Sequence, residues 1–484
     1  ISPHELMDEI YAKLSPLVEE QYKIFNEDVI PKLAENNIRF FKYEELTEEE
    51  TKRIDKYFED EIFPILTPLA IDNVHPFPNL INRSIALAIV LDDPDTEVIE
   101  EKVSVVQVPS NIVPRFYQID GRDENSFILL EDIILANIDK LFPGMATVSV
   151  SQFRITRNAD LELEEEEADD LLTLIEEEVK KRRLGLLVRL EIDKNCPEKL
   201  KNFLIDALNV EKNEIYEIDG PLNLGDMMNL TKIENRKLKY EPFTPRISSF
   251  FREEDDIFKN ISRQDIFLHH PFYSFSSVSE FIAKAAFDPK VYAIKLTLYR
   301  TSGDSAIINS LITAAENGKQ VTAVVELKAR FDEENNIIWA RALENAGVHV
   351  VYGLIGLKTH CKIALVVRKE DEKMKRYVHL STGNYNQTTA KLYTDFGIFT
   401  ANEDFGKDAT QLFNYLTGYS KKHSYKELVV APINMRKTIL SLIDNEIKQQ
   451  QEHNNGYILA KMNSLVDEEV ILKLYEASNA GVKI

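Results

Sequence analysis

Downstream of residue 245 the chain falls into a rhythm that few folds can accommodate. Three short apolar runs, residues 291–299, 321–327 and 348–352, are separated by helix-length segments that close on Asn317-Gly318 and on Ala346-Gly347. Apolar runs of strand length alternating with helical segments predict βαβ crossovers, and with them an α/β lobe whose mainly parallel sheet is covered on both faces. Two more strands are expected at 363–368 and 377–380, flanking a charged loop at 369–376. Ligands of such sheets bind beyond the carboxyl ends of the strands, where helix N-termini and loop amides converge. Chemistry is therefore expected at the strand ends.

The upstream half reads differently. Leu6, Ile10, Leu14, Leu17, Tyr22 and Phe25 recur at helical spacing, and Pro31 with Asn36-Asn37 ends the pattern, which suggests helix packed on helix. A Thr47-capped helix and strand-like runs at 84–91, 103–108, 147–155 and 186–192 follow, giving a mixed α+β region. Between the last two runs lie Glu162, Glu164, Glu165, Glu166, Glu167, Asp169 and Asp170, then Lys180, Lys181, Arg182 and Arg183. Acids at the positive end of a helix and bases at its negative end complement the macrodipole, so a solvated helix is a simpler reading than a metal or partner patch. The segment Tyr240-Glu241-Pro242-Phe243-Thr244-Pro245 reads as a linker.

At 484 residues the length alone suggests about three domains of ~150 residues. The 58 basic and 81 acidic residues give a net charge of −23, which argues against a generic nucleic-acid binder. A polyanionic ligand would need a locally basic pocket. Residues 291–400 carry 14 Lys and Arg against 11 Asp and Glu, a local +3 that leaves −26 to the rest. Two distant cysteines, Cys196 and Cys361, fit a reducing compartment. There is no run of ~20 apolar residues and no secretory signal, so a cytoplasmic location is expected.

Arg300 and Arg330 each follow a predicted strand, so two guanidinium forks suited to phosphate oxygens would face one crevice. Either arginine alone is as readily a surface partner; the pair at equivalent strand ends is the stronger signal. His360 and Lys362 lead into the strand at 363, where alternation puts both on one face and Cys361 on the other. His-x-Lys by itself says little. Ser381-Thr382-Gly383-Asn384-Tyr385-Asn386 then supplies a glycine-bearing turn whose backbone N–H groups, with the Asn384 amide, can meet a phosphoryl oxygen.

These residues, with Val325-Glu326-Leu327-Lys328-Ala329-Arg330-Phe331-Asp332-Glu333, Leu357-Lys358-Thr359-His360-Cys361-Lys362 and Leu392-Tyr393-Thr394-Asp395, resemble polyphosphate kinases of the first type. The resemblance covers essentially the whole chain. It implies an α/β multidomain protein: 1–37 a remnant of a helical N-terminal domain, 38–242 an α+β middle domain, 243–427 a first phospholipase D-like lobe, and 428–484 the start of a second. It implies reversible transfer of the terminal phosphate of ATP to inorganic polyphosphate, with His360 as the phosphorylated nucleophile. Arg300 and Arg330 would hold a magnesium-phosphate moiety, and Lys362, Asn384 and Tyr393 would contact phosphate or nucleotide. A guanidinium has no lone pair for a metal, so Mg²⁺ at the arginines would be bridged through phosphate oxygens. Expected partners are ATP, ADP and polyphosphate, without nucleic acid; a homodimer or homotetramer and peripheral membrane association are also expected.

Measured against the family, the chain is expected to be a fragment. It would lack an opening helical segment with a nucleotide-contacting asparagine. It would also lack most of the second lobe, with a second essential histidine and a nucleotide-binding arginine, and so be inactive by itself. Two other readings stand beside the kinase. A phospholipase D-like phosphodiesterase or nuclease shares a histidine nucleophile, but its His-x-Lys-x4-Asp pattern would need Asp where Val367 stands. A catalytically silent module that binds polyphosphate or oligomerises would bind without labelling His360.

Overall fold

The structure, a computed structural model, describes residues 2–72, 75–95, 102–122, 125–160, 171–182, 185–251, 256–300, 305–329, 332–354, 356–418, 420 and 424–484. The acidic run from Glu162 to Asp170, Arg183, Gly303, Asp304 and Arg330 lie outside these residues. The chain splits into two compact units, Ile1–Glu162 with Glu178–Glu241, and Leu163–Glu177 with Pro242–Ile484.

In the first unit the helix Pro3–Ile24 starts at a reciprocal cap: the Ser2 hydroxyl accepts from the Glu5 N–H and the Glu5 carboxylate accepts from the Ser2 N–H. Its apolar stripe divides, with Val18, Tyr22 and Phe25 buried and Leu6, Ile10 and Leu17 exposed. Thr47 caps Glu48–Tyr57 as its sequence suggests. The four strand-like runs become Ile85–Asp92, Lys102–Gln107, Ala146–Arg157 and Leu187–Asp193, the middle of a six-stranded sheet. Alternation along Ile85–Asp92 serves two cores. Leu87 and Ile89 pack with Tyr22, Phe58 and Ile134, whereas Ala86 and Ala88 pack with Phe153, Leu190 and Leu204. Of the charged run near residue 180, the helix Leu171–Arg182 is present.

The second unit is built on seven strands: β1 Ile266–His270, β2 Val291–Leu298, β3 Gln320–Val325, β4 His349–Val351, β5 Lys362–Glu370, β6 Lys373–Ser381 and β7 Asp395–Thr400. Their order across the sheet is β1-β7-β6-β5-β2-β3-β4. Its helices are α1 Ile257–Arg263, α2 Ser276–Phe287, α3 Ala306–Glu316, α4 Glu333–Asn345, α5 Glu403–Thr417, α6 Met435–His453 and α7 Glu468–Asn479. Helices α3 and α4 make the expected crossovers, and β2, β3 and β4 pair in parallel.

The rest of the sheet corrects the expectation of a mainly parallel one. The pairs β1–β7, β7–β6, β6–β5 and β5–β2 are all antiparallel. The reason lies in the segment expected to be a charged loop. Lys369 and Glu370 finish β5, Lys373 begins β6, and only Asp371 and Glu372 turn, at φ 43° and 65°. Two central residues with positive φ make a tight hairpin, and such a turn can join only antiparallel strands. No Gly or Asn marks it, so composition hides it. The outward charges of this hairpin pair locally, Arg368 with Asp288 at 2.8 Å and with Glu370 at 2.7 Å.

Both faces of the sheet are covered. Ile363, Leu365 and Val378 pack against Leu412, Phe413 and Leu416 of α5. On the opposite face Phe258 of α1 meets Tyr377 at 4.9 Å between ring centroids, and Phe281 of α2 meets Phe399 at 5.3 Å. Helices α6 and α7 form a small core of their own around Ile443, Ile447, Val470 and Ala477. Among the described residues no helix is long and apolar enough to cross a membrane.

Phe413 is fully buried. Phe413→Ala is therefore expected to lower the stability of the second unit by about 3–5 kcal/mol, whereas Ile338→Ala, at an exposed site, should change it by less than about 0.5 kcal/mol. Urea unfolding of the two variants beside the unsubstituted chain checks both values.

Candidate active site

The antiparallel pairing of β5 with β2 brings the amino end of one strand beside the carboxyl end of the other. The Thr297 hydroxyl, buried near the end of β2, donates to the Cys361 carbonyl at 2.8 Å and accepts from the Ile363 N–H at 3.1 Å. That double bond clasps the backbone on either side of Lys362. It also brings Tyr299 to His360, their ring centroids 4.9 Å apart and nearly perpendicular.

Tyr299, the last residue of the apolar run 291–299, is a hub that its place in the sequence does not announce. Around its ring lie Lys362 Nζ at 4.9 Å, Lys358 Nζ at 5.3 Å and the Arg300 guanidinium at 5.6 Å. An aromatic face attracts cations, so one ring gathers three that would otherwise repel each other. Arg300 also pairs with Asp332 at 3.1 Å. Lys362 is buried and donates from Nζ to the His360 carbonyl at 2.7 Å. Burial pulls its ammonium down to about 8, opposed by Cys361 and Asp395. His360 remains open to solvent, yet partial burial first, and then the charges of Lys362, Lys358 and Arg300, lower its basicity below the usual imidazole range. The imidazole therefore stays neutral near pH 7, with a nitrogen lone pair available in a positive surrounding.

Two further strand ends complete the region. After β3, Glu326 is buried and its carboxylate accepts from the Lys328 N–H at 2.9 Å and the Thr359 N–H at 2.6 Å. A carboxylate inside the apolar run of residues 321–327 was a visible signal, because buried acids need partners. At the other side Lys362 stands opposite Ser381, and Ser381 opposite Gly397. The turn after β6 is drawn onto β7: the Thr382 hydroxyl donates to Asp395 Oδ1 at 2.8 Å and accepts from the Phe396 N–H at 2.9 Å. A Cβ at Gly383 would lie 2.5 Å from Asp395 Oδ2, so only glycine permits this approach.

Of the residues singled out from sequence, the structure brings together Arg300, His360 and Lys362. Asn384 lies in the turn after β6, where its amide oxygen is buried without a hydrogen-bond partner. Tyr393 is 61% exposed, two residues before β7. Neither is among the groups ringing the imidazole. Arg330 lies outside the described residues. Beside His360 opens a cavity of about 590 Å³, cationic at Lys358 and Lys362 and apolar along Leu412, Tyr415 and Val430.

Deeper in the sheet, His270 and His379 are both buried. His379 lies against Phe399 at 4.4 Å and its Nδ1 is 2.9 Å from the Tyr385 hydroxyl. Burial, with His270 nearby, holds His379 down at about 3, and burial likewise lowers His270.

The described residues hold no cluster of three or more His, Cys, Asp or Glu able to cage a metal. The cations around Tyr299 suit an anion, and a divalent ion fits here only as part of a phosphate complex.

Comparison with known proteins matches three family models in succession. Residues 49–230 match the polyphosphate kinase middle domain, 256–422 the polyphosphate kinase C-terminal domain 1, and 428–484 the polyphosphate kinase C-terminal domain 2. A polyphosphate kinase of Halalkalibacterium halodurans is 50% identical over 490 residues, across 100% of this chain and 69% of that protein. One of Synechocystis is 48% identical over 510 residues, across 100% of this chain and 70% of the relative. The crystal structure of polyphosphate kinase from Porphyromonas gingivalis superposes with a TM-score of 0.80 at 29% identity, covering 99% of this chain and 70% of that one.

The buried histidine gives an acid-stability prediction. Folded His379 stays neutral down to about pH 3, whereas the unfolded chain protonates it near ~6.5. Its contribution is thus fully present above ~6.5 and lost as pH falls from there toward 3. Between pH 6.5 and 4.5 the unfolding free energy of the parent chain should fall more steeply than that of His379→Gln, by up to about 1.4 kcal/mol per pH unit. Parallel denaturant titrations at several pH values read the difference.

Proposed function

The chain belongs to the polyphosphate kinase family, and we propose that it transfers the terminal phosphoryl group of ATP to inorganic polyphosphate through a phosphohistidine on His360. The observation that carries the reading is the depressed, neutral imidazole held beside Arg300, Lys358 and Lys362 around one aromatic ring. A neutral imidazole is a nucleophile, and the cations match charge on the oxygens of a transferring phosphoryl group.

In the forward direction the imidazole lone pair forms a nitrogen–phosphorus bond as the bond to the leaving ADP oxygen breaks. A terminal oxygen of polyphosphate then attacks the same phosphorus and the imidazole leaves. A phosphoramidate is a reactive donor, so the transfer runs in both directions. Lys362, tied to the His360 carbonyl, supplies one cation for this exchange, and Arg300 adds a fork for equatorial oxygens. Arg330, Asn384 and Tyr393 are proposed as further phosphate or nucleotide contacts. Arg300 and Arg330 would meet phosphate oxygens rather than metal, and Mg²⁺ carried in with the nucleotide would supply charge neutralisation on those phosphates.

Diester cleavage of the phospholipase D kind is the weaker reading. The position for its aspartate holds Val367, a residue inside β5 opposite Arg376 and packed on the α5 core.

Incubation with γ-labelled ATP and magnesium, followed by peptide mapping at alkaline pH, tests the proposal. Acid-labile label on His360, absent from His360→Ala, is expected; stable label on another residue, or binding of polyphosphate without label, would overturn it. The labelling rate should decline as pH rises through about 8, where the Lys362 ammonium loses its charge. In Lys362→Arg that limb should vanish, because a guanidinium stays charged throughout.

A further inference from the structure

We propose that Glu326 is a positioning residue for phosphoryl transfer at His360, acting as a clasp between the loop that follows β3 and the loop that delivers the histidine. The inference rests on the phosphohistidine reading for its chemical consequence, but the clasp itself stands on geometry. Glu326 is 2% exposed, and its two carboxylate oxygens serve two different loops: Oε1 accepts from the Lys328 N–H at 2.9 Å, Oε2 from the Thr359 N–H at 2.6 Å. Thr359 directly precedes His360, and Lys328 lies two residues before Arg330 in the sequence.

The carboxylate is itself held by its backbone. The Glu326 N–H donates to the Leu298 carbonyl at 2.8 Å, and Asn336 of α4, also 2% exposed, donates from Nδ2 to the carbonyls of Glu326 at 2.9 Å and Tyr299 at 2.8 Å. The ends of β2 and β3 and the approach to β5 are thereby tied at one buried point. Gly353, at φ 70°, leaves room for it; a Cβ there would lie 3.2 Å from Thr359 Oγ1 and 3.7 Å from Glu326 Oε2.

A buried acid whose two oxygens each meet a backbone N–H is costly to desolvate, and a simpler apolar side chain would fill a strand end equally well. Its charge is useful because charge-assisted bonds are short and directional, fixing Thr359 where a neutral acceptor would leave play. Phosphoryl transfer depends on alignment, so play at residue 359 appears as lost rate rather than lost affinity.

The test compares E326Q and E326D with the parent chain. Amide hydrogen exchange is followed across residues 357–361, and the rate of His360 labelling is followed as ATP is varied. In E326Q one acceptor becomes an NH₂ group facing an N–H. Exchange at Thr359 should rise about ten-fold or more, and the maximal labelling rate should fall about ten-fold or more. The ATP concentration for half-maximal rate should shift by less than about three-fold. E326D keeps charge and both acceptors at shorter reach and should recover part of each loss. Unchanged exchange at Thr359 in E326Q overturns the proposal, as does raised exchange with an unaltered labelling rate. Equal loss of protection throughout β2 and β3 also overturns it, since it would mark general destabilisation. A parent chain that takes up no label defeats the phosphohistidine reading instead, and exchange at Thr359 then decides the clasp alone.

Discussion

The second unit depends on the way β5 joins β2. A parallel strand there would have delivered its carboxyl end to the edge shared by Tyr299 and Leu327. The antiparallel strand delivers its amino end, and with it His360. The Thr297 hydroxyl secures this arrangement, since it donates to one side of Lys362 and accepts from the other. A side chain thus takes over where the ladder starts, and the nucleophile is fixed by the strand that follows it. Arg300 is fixed by the strand that precedes it, so the two arrive at one place from opposite chain directions.

Electrostatics then follow from crowding. Three cations within 5.6 Å of one tyrosine ring would raise each other's energy in an empty pocket. The aromatic face, the Asp332 carboxylate and the His360 carbonyl offset part of that repulsion. What remains lowers the basicity of His360 and Lys362 and awaits an anion. The chain as a whole is strongly acidic, and this local inversion attracts polyanions to one edge of one sheet while the remaining surface repels them.

Much of this was legible in the sequence because it rests on local chemistry. The βαβ half follows from apolar runs ending in Asn-Gly and Ala-Gly, and Arg300, His360 and Lys362 were found by their places relative to strands. The antiparallel half was not legible, because a hairpin turned by Asp371 and Glu372 has neither glycine nor asparagine at its two positive-φ positions and lies within a run of charges. Tyr299 was hidden for another reason: an aromatic after a strand reads as core, and only the fold shows cations converging on it. Glu326 left a trace, a lone acid in an apolar run, but its two partners are 2 and 33 residues away and only the nearer is suggested by spacing. The exposed face of the first helix shows the converse limit, since helical periodicity foretold the helix but not which of its apolar residues would be covered.

The loop before His360 has a consequence for how its sequence can drift. Gly353 and Gly356 both hold φ near 70°, a region that side chains bearing a Cβ enter at a cost. Leu357, 38% exposed, lies between these fixed points and Thr359. Substitution is therefore constrained in two ways within a few residues: a side chain at either glycine meets a backbone cost, whereas Leu357 lines the cavity beside His360 and answers to whatever that cavity admits.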